Sequence, residues 1–159
     1  MKSISVLITA GMLALSACAV DSRPVASVQR TKAINKEAMT TFANDFKDAT
    51  AVSWESEKEF SFAYFILGNE QLVAAYNKDG EHISTSRSIE FSELPLAVSL
   101  NLKKRFPNAM RIGSVSEVVF DNYANYYFTI ATKKNVFRIK STADGDMIIS
   151  ERQKILKQQ

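Results

Sequence analysis

The feature that most constrains the fold is a helix-and-strand pattern that occurs twice along the chain. In its first occurrence, Met39, Phe42 and Phe46 fall at the spacing of one helix face. Segments rich in aromatic and aliphatic residues follow, as is typical of strands. They are separated by turn signals such as Gly68-Asn69 and Asp79-Gly80. This stretch predicts a helix followed by four short antiparallel strands.

The second occurrence keeps the same order of elements. Leu94-Pro95 opens a second helix, since proline is tolerated in the first helical turn. Val98, Leu102 and Phe106 line one face of that helix. Four strand segments follow, and Asp144-Gly145 supplies the last turn. The pattern therefore predicts an α+β protein of two tandem repeats, residues 36–90 and 91–159, each a helix plus a four-stranded antiparallel sheet.

The two copies can be aligned with insertions in turns alone. Phe46 corresponds to Phe106, which is an offset of 60 residues, and Gly80 corresponds to Gly145, an offset of 65. The alternative is a chance similarity between two patterns of one helix and several strands.

The N-terminus predicts export. Lys2 is followed by an apolar run over residues 4–15 that ends in small residues, the pattern of a secretory signal peptide. The run is shorter than the roughly 20 apolar residues that span a bilayer. Polar sequence containing Pro24 follows at once, which argues against a buried core helix. Residues 1–17 are therefore predicted to be a signal peptide.

The cleavage zone Leu15-Ser16-Ala17-Cys18 resembles the lipobox of bacterial lipoproteins. Cys18 is the only cysteine of the chain, so it would become a lipidated N-terminus, and residues 18–35 would form that terminus and a flexible tether. Several acyl chains would hold the protein on a membrane. The localisation predicted is periplasmic or outer-membrane-associated. The alternative is cleavage after Ala17 or Ala19, which leaves a soluble periplasmic protein.

The net charge and the small number of histidines and cysteines limit the classes of function to consider. The net charge of +3 is mild, so no nucleic-acid partner is expected. His82 is the only histidine, so neither a zinc site nor a catalytic triad is expected, and His82 is interpreted as a surface turn residue. The sequence predicts a protein that is not an enzyme and that uses no cofactor or metal.

Two acidic groups have structural explanations. Glu55, Glu57 and Glu59 alternate, and such like charges usually form a solvated strand edge that deters aggregation. The run Asp144-Gly145-Asp146 lacks the later ligands of a calcium loop, so a hairpin turn explains it.

The order of several sequence blocks resembles a known family. The blocks are Val52-x-Trp54, Ala74 to Gly80, Thr85-Ser86-Arg87, Leu94-Pro95, Lys103 to Pro107, and the strand around Glu117. They resemble the PepSY-like, β-lactamase-inhibitor-like family of exported Bacteroidetes-type proteins, over residues 36–157. The resemblance implies sheets lying side by side, with the helices on one face and the other sheet face open. In the inhibitor proteins that gave the family its name, the open face clamps an enzyme, and PepSY domains are linked with peptidase inhibition. This chain lacks the disulfides of the secreted inhibitors, and no enzyme-contacting residue can be carried over.

Alignment of the copies predicts which strand residues face the helices. The pairs expected there are Phe65 with Phe128, Leu67 with Ile130, Val73 with Phe137, and Ala75 with Ile139. Side chains alternate along a strand, so an aromatic patch with a basic flank is expected on the open face. Its predicted members are Phe60, Phe62, Tyr64, Tyr76, Tyr127, Arg138 and Lys140. A loop, the tether or a second chain could instead cover it, and Trp54 is expected in core or rim packing.

These observations favour a binding or inhibitory module that grips an envelope protein or peptide with its aromatic sheet face. The partner could be a peptidase or a β-lactamase-like enzyme. Two other classes stay open: a carrier of a small apolar ligand held between sheet and helices, and a structural envelope protein.

Overall fold

The computed structural model describes residues 34–155. The predicted signal peptide, the lipidation of Cys18 and nearly all of the tether lie outside these residues. The elements in chain order are α1 (Lys36–Asp45), β1 (Thr50–Glu57), β2 (Phe60–Leu67), β3 (Glu70–Tyr76), β4 (His82–Ile89), a 3-10 turn (Phe91–Glu93), α2 (Leu96–Arg105), β5 (Met110–Phe120), β6 (Tyr123–Ala131), β7 (Asn135–Thr142) and β8 (Met147–Lys154). Within residues 34–155, no helix has both the length and the apolar character needed to cross a membrane.

Local sequence explains where the helices begin and end. The Asn35 side chain accepts hydrogen bonds from the backbone N–H groups of Glu37 and Ala38, which caps α1. α2 begins directly after Pro95, whose missing N–H costs nothing at that position. The N–H of Phe46 closes α1 and that of Phe106 closes α2, each bonding to a carbonyl four residues earlier.

The eight strands form one continuous antiparallel sheet in sequence order. The resemblance implied two four-stranded sheets lying side by side, but β4 and β5 pair directly over Thr85–Ile89 and Val115–Val119. An ion pair reinforces this joint, because Arg87 Nε donates to Glu117 Oε2 at 2.6 Å. The α+β class with two helices and an open sheet is therefore confirmed, with a single sheet in place of two.

Both helices pack on the same face of the sheet. Across the joint, Arg87 pairs with Glu117 and Ile89 with Val115, so all four side chains lie on one face. The core under α1 consists of Ala38, Phe42, Ala63, Phe65, Ala74 and Tyr76. The core under α2 consists of Ile89, Phe91, Leu94, Val98, Leu102, Val115, Tyr126, Phe128, Ile130, Phe137 and Ile139. Trp54 packs edge-on against Phe42 at the margin of the first core, as expected.

The last hairpin of each half is hydrogen-bonded to the helix of that half. Gly80 has φ +79° and Gly145 has φ +91°. Thr41 Oγ1 donates to the Gly80 carbonyl at 2.9 Å, and Asn101 Nδ2 donates to the Gly145 carbonyl at 3.1 Å. A Cβ on Gly145 would lie 2.8 Å from the Ala97 carbonyl oxygen. Glycine is thus required both by the backbone angle and by the close approach of the helix.

The prediction for strand β3 is wrong by one residue. Tyr76 is fully buried under α1, and Ala74 lies in the same core, whereas Val73 and Ala75 face the other side of the sheet. The reason is where the strands end. β2 reaches its two-residue turn at Leu67, whereas β6 runs two residues further and reaches its turn at Thr132, whose N–H donates to the Asn135 carbonyl. The offset between the copies has therefore already reached 65 at β3. A slip of one residue moves every side chain of a strand to the opposite face.

Candidate binding face

Six of the seven predicted site residues lie on the sheet face opposite the two described helices, called here the open face. Phe60, Phe62 and Tyr64 alternate along β2. Tyr127 on β6 lies opposite Ser116 on β5 and Lys140 on β7, and Arg138 lies two residues from Lys140 on the same face. Tyr76, the seventh, belongs to the core on the opposite face.

Small polar side chains make up much of the centre of the open face. Ser84, Ser86 and Ser88 of β4 point to this face, since they pair with Ala75, Val73 and Ser116. Ser116 of β5 lies beside them, and the hydroxyl oxygens of Ser88 and Ser114 are 2.7 Å apart. These residues (Ser84, Ser86, Ser88, Ser114 and Ser116) form what is called here the serine floor. The short side chains leave the middle of the sheet lower than its aromatic flanks.

A depression of about 450 Å³ lies over part of this floor. Its lining includes Tyr64, Ile66, Val73, Ser86, Ser88 and Ser116. Sequence reasoning missed the floor, although the alternating serines of residues 84–88 were a usable signal. The depression joins an apolar wall from β2 to a floor of hydroxyl groups that can donate and accept hydrogen bonds.

One side of the depression is an acidic and aromatic rim on β1 and β2. Phe60 and Tyr64 are 43% and 39% exposed, which is high for aromatic side chains. The Tyr64 hydroxyl donates to Glu55 Oε2 at 2.9 Å. This hydrogen bond, with smaller contributions from burial and from the charges of Glu55 and Glu57, raises the pKa of Tyr64. The hydrogen bond therefore orients the Tyr64 ring within the rim.

The other side is a basic and aromatic rim on β6 and β7. Lys140 Nζ lies 5.7 Å from the centre of the Tyr127 ring, within the range of a cation–π contact. Arg138 makes an ion pair with Glu151 of β8 at 2.9 Å. Ile148 lies opposite Lys140 and is 66% exposed, which extends the apolar surface. The open face thus has the carboxylates of Glu55 and Glu57 at its β1 side, and Lys140 beside the ion pair of Arg138 and Glu151 at its β7–β8 side.

His82 does not lie beside the serine floor. His82 pairs with the core residue Tyr76, and its Nε2 lies 3.0 Å from Thr85 Oγ1. It is exposed, as expected, but it is the first residue of β4 and does not lie in a turn. Within residues 34–155, the His, Cys, Asp and Glu side chains form no group of three able to hold a metal ion. The arrangement is suited to binding by contact and hydrogen bonding.

Comparison with known proteins shows similarity of fold alone. No family model matches the sequence, and no curated protein matches it significantly. A BLIP-like protein of Bacteroides fragilis superposes with a TM-score of 0.65 at 12% identity, covering 80% of this chain and 91% of that one. A DUF2874 family protein of Bacteroides ovatus gives 0.65 at 16% identity, with 77% and 89% covered. A protein of Bacteroides eggerthii, provisionally described as periplasmic, gives 0.64 at 16% identity, with 78% and 91% covered. The chain therefore shares the fold of BLIP-like and DUF2874 proteins.

Proposed function

We propose that the protein is an exported, lipid-anchored, non-enzymatic module that grips a protein or peptide of the cell envelope with its open face. The observation that carries this proposal is the depression over the serine floor, flanked by aromatic rims on both sides. Binding occurs through surface complementarity, and inhibition follows where the gripped segment belongs to an active site. Peptidases and β-lactamase-like enzymes are the first candidate partners of the open face.

The chemistry of the rims supports a protein partner. Tyr and Arg are enriched among residues that dominate binding energy, and aromatic rings supply large contact area at low entropic cost. Tyr64 and Tyr127 are each held by a polar neighbour, so little freedom is lost on binding. The opposite charges of the two rims favour a partner segment with cationic groups toward Glu55 and anionic groups toward Lys140.

Export and anchoring rest on the sequence of the first 18 residues. The chain shares its fold with a protein provisionally described as periplasmic, which supports an envelope location. The lipid anchor at Cys18 is supported by the lipobox pattern alone.

We further infer that the two halves are copies of one unit. Hydrogen bonds at both ends of the unit support this, because Phe46 with Ala49 and Phe106 with Ala109 make the same turn after each helix. The last hairpins also match: the N–H of Asn77 donates to the Glu81 carbonyl, and that of Thr142 donates to the Asp146 carbonyl.

The carrier hypothesis receives less support. It requires space between the sheet and the helices, but each described helix packs directly on buried strand residues. Phe42 and Phe65, for example, make an edge-to-face contact with ring centres 5.0 Å apart.

A pull-down from native envelope extract tests the proposal. The baits are the parent chain, a Tyr64→Ala/Tyr127→Ala variant of the open face, and a Met39→Ala variant that trims an exposed side chain on α1. Circular dichroism and melting curves confirm that all three fold.

A partner retained by the parent and the Met39 variant but lost by the double variant supports the open face as the site. Purified partners, and a panel of β-lactamases and envelope peptidases, are then assayed for inhibition. Equal capture by all three folded baits would contradict the proposal.

A further inference from the structure

Helix α2 presents an apolar stripe on the side away from the sheet. Val98 and Leu102 are buried against the strands, whereas Leu96 and Leu100 are 73% and 56% exposed. These two leucines are four residues apart and therefore neighbours on the helix surface. Exposed leucines are common singly, but a paired stripe on a short helix is not needed for folding.

Helix α1 can be compared with α2 position by position. Its buried residues Ala38 and Phe42 lie 60 positions before Val98 and Leu102, the buried residues of α2. At the positions that correspond to Leu96 and Leu100, α1 carries Lys36 and Thr40. At those that correspond to Lys103 and Lys104, it carries Ala43 and Asn44. The solvent side of α1 is thus largely polar, apart from Met39 on its flank, whereas α2 combines two leucines with two lysines.

The C-terminal end of α2 is strongly basic. Its last turn contains Lys103, Lys104 and Arg105, and α2 has no acidic residue. Lys133 and Lys134 of the β6–β7 turn share a cleft of about 440 Å³ with Arg105. The last turn of α1, by contrast, contains no basic residue and ends at Asp45. Lys103 and Lys104 lie three and four residues after Leu100, so they flank the apolar stripe on the helix surface. Ammonium groups beside an apolar stripe are complementary to anionic lipid headgroups above acyl chains.

We propose that α2 docks on an anionic phospholipid surface, with Leu96 and Leu100 entering the headgroup–acyl boundary and the basic end lying against lipid phosphates. The inference rests on the proposed membrane anchoring. The fifteen residues between Cys18 and Ile34 make sixteen Cα–Cα steps and span at most about 55 Å, so an anchored domain stays within reach of the bilayer.

Docking in this way would orient the molecule. The helices cover one face of the sheet and the open face is the other, so a bilayer against α2 leaves the open face directed away from the lipid. The anchor and the helix together would present the serine floor and both rims to a soluble or neighbouring partner.

The test places an environment-sensitive NBD probe on the full chain. A Cys18→Ser background removes the native thiol, and a single cysteine is introduced as Leu100→Cys on α2 or as Thr40→Cys at the corresponding position of α1. Each labelled protein is mixed with vesicles of phosphatidylcholine alone or with an equal part of phosphatidylglycerol. Both proteins keep the apolar residues 4–15, so any attachment through that segment is common to both.

We expect the probe at residue 100 to shift to the blue with phosphatidylglycerol vesicles and to be quenched from a depth of about 5–10 Å. The probe at residue 40 should show neither change. Lys103→Glu/Lys104→Glu should weaken the response at residue 100 by at least roughly fivefold for each lysine. Capture of the partner by the open face, measured without vesicles, should be unchanged in that variant, which separates this inference from the proposed function.

Equal responses at residues 40 and 100, or none at residue 100, would overturn the proposal. So would a blue shift at residue 100 that appears without vesicles and grows with protein concentration, since a second copy would then be the occupant.

Discussion

The hydroxyl of Tyr64 donates a hydrogen bond of 2.9 Å to Glu55 Oε2, and the two side chains lie on adjacent strands at the acidic rim of the open face. Ionisation of Tyr64 would place a phenolate against a carboxylate, so the pair is stable only while the phenol keeps its proton. The bond therefore holds the ring in place at neutral pH.

Replacing Glu55 should change the titration of Tyr64. In Glu55→Gln the negative charge is gone, so we expect the pKa of Tyr64 to fall toward its ordinary value of about 10. An NMR titration of the Tyr64 ring measures this. The matched control is Glu57→Gln, because Glu57 acts only through its charge and should lower the pKa less. An equal or larger effect of Glu57→Gln would contradict the assignment.

The buried hydroxyl of Tyr76 should lower the free energy of unfolding. It has no hydrogen-bond partner among the described residues. Tyr76→Phe keeps the ring and removes that group, so it should stabilise the fold by about 1 kcal/mol, measured by denaturant unfolding. Tyr126→Phe is the control: the Tyr126 hydroxyl donates to Glu117 Oε1 at 3.0 Å, so its loss should destabilise. Changes of the same sign in both variants would contradict this account.

Alkaline pH should increase the difference in unfolding free energy between Tyr76→Phe and the parent chain. Burial raises the pKa of Tyr76 far above its ordinary value. Above about pH 10 the unfolded chain releases the Tyr76 proton while the folded protein keeps it, so the free energy of unfolding falls as pH rises. Tyr76→Phe removes this contribution. The gap in stability between variant and parent should therefore widen above pH 10, and a constant gap would argue that Tyr76 is accessible in the folded state.

The contact between helix and hairpin predicts unequal costs for three glycine substitutions. A Cβ on Gly80 would lie 2.8 Å from the backbone nitrogen of Ala38, and Gly145 is similarly crowded by Ala97. Gly68 also has a positive φ but has open space around it. Gly68→Ala should cost about 1 kcal/mol from backbone strain alone, and Gly80→Ala or Gly145→Ala about 2–4 kcal/mol. Equal melting temperatures for the three variants would contradict the packing described.

The sequence predicted the elements better than the faces. Asp79-Gly80 and Asp144-Gly145 marked hairpins correctly, because few other pairs tolerate such backbone angles. Strand β3 was misassigned since Leu72 to Tyr76 is apolar on both faces, so alternation could not tell which face meets the helix. The register depends on β6 running two residues further than β2 before its turn, and the turn Lys133-Lys134 contains no glycine or proline that would mark that strand end in the sequence.

The open face was predicted from its aromatic residues and basic flank, and the structure adds its centre. Apolar patterns do not include serine, so neither Ser116 nor the alternating serines of residues 84–88 were predicted to belong to the site. Their importance comes from shape, because small side chains between two aromatic rims create a depression, and shape requires the pairing of β4 with β5. That pairing joins residues about 30 positions apart and is not a local property of the chain.

Filling the depression tests the central claim most directly. Ser116 is exposed on the serine floor, and tyrosine is well accommodated in strands, so Ser116→Tyr should fold normally while occupying the space a partner needs. The control is Ser92→Tyr in the 3-10 turn before α2, which is also exposed. The measurement is the dissociation constant for the partner captured by the parent chain. We predict that Ser116→Tyr weakens binding at least about tenfold, while Ser92→Tyr leaves it unchanged. A folded Ser116→Tyr protein that binds as tightly as the parent would contradict the claim that this face grips the partner.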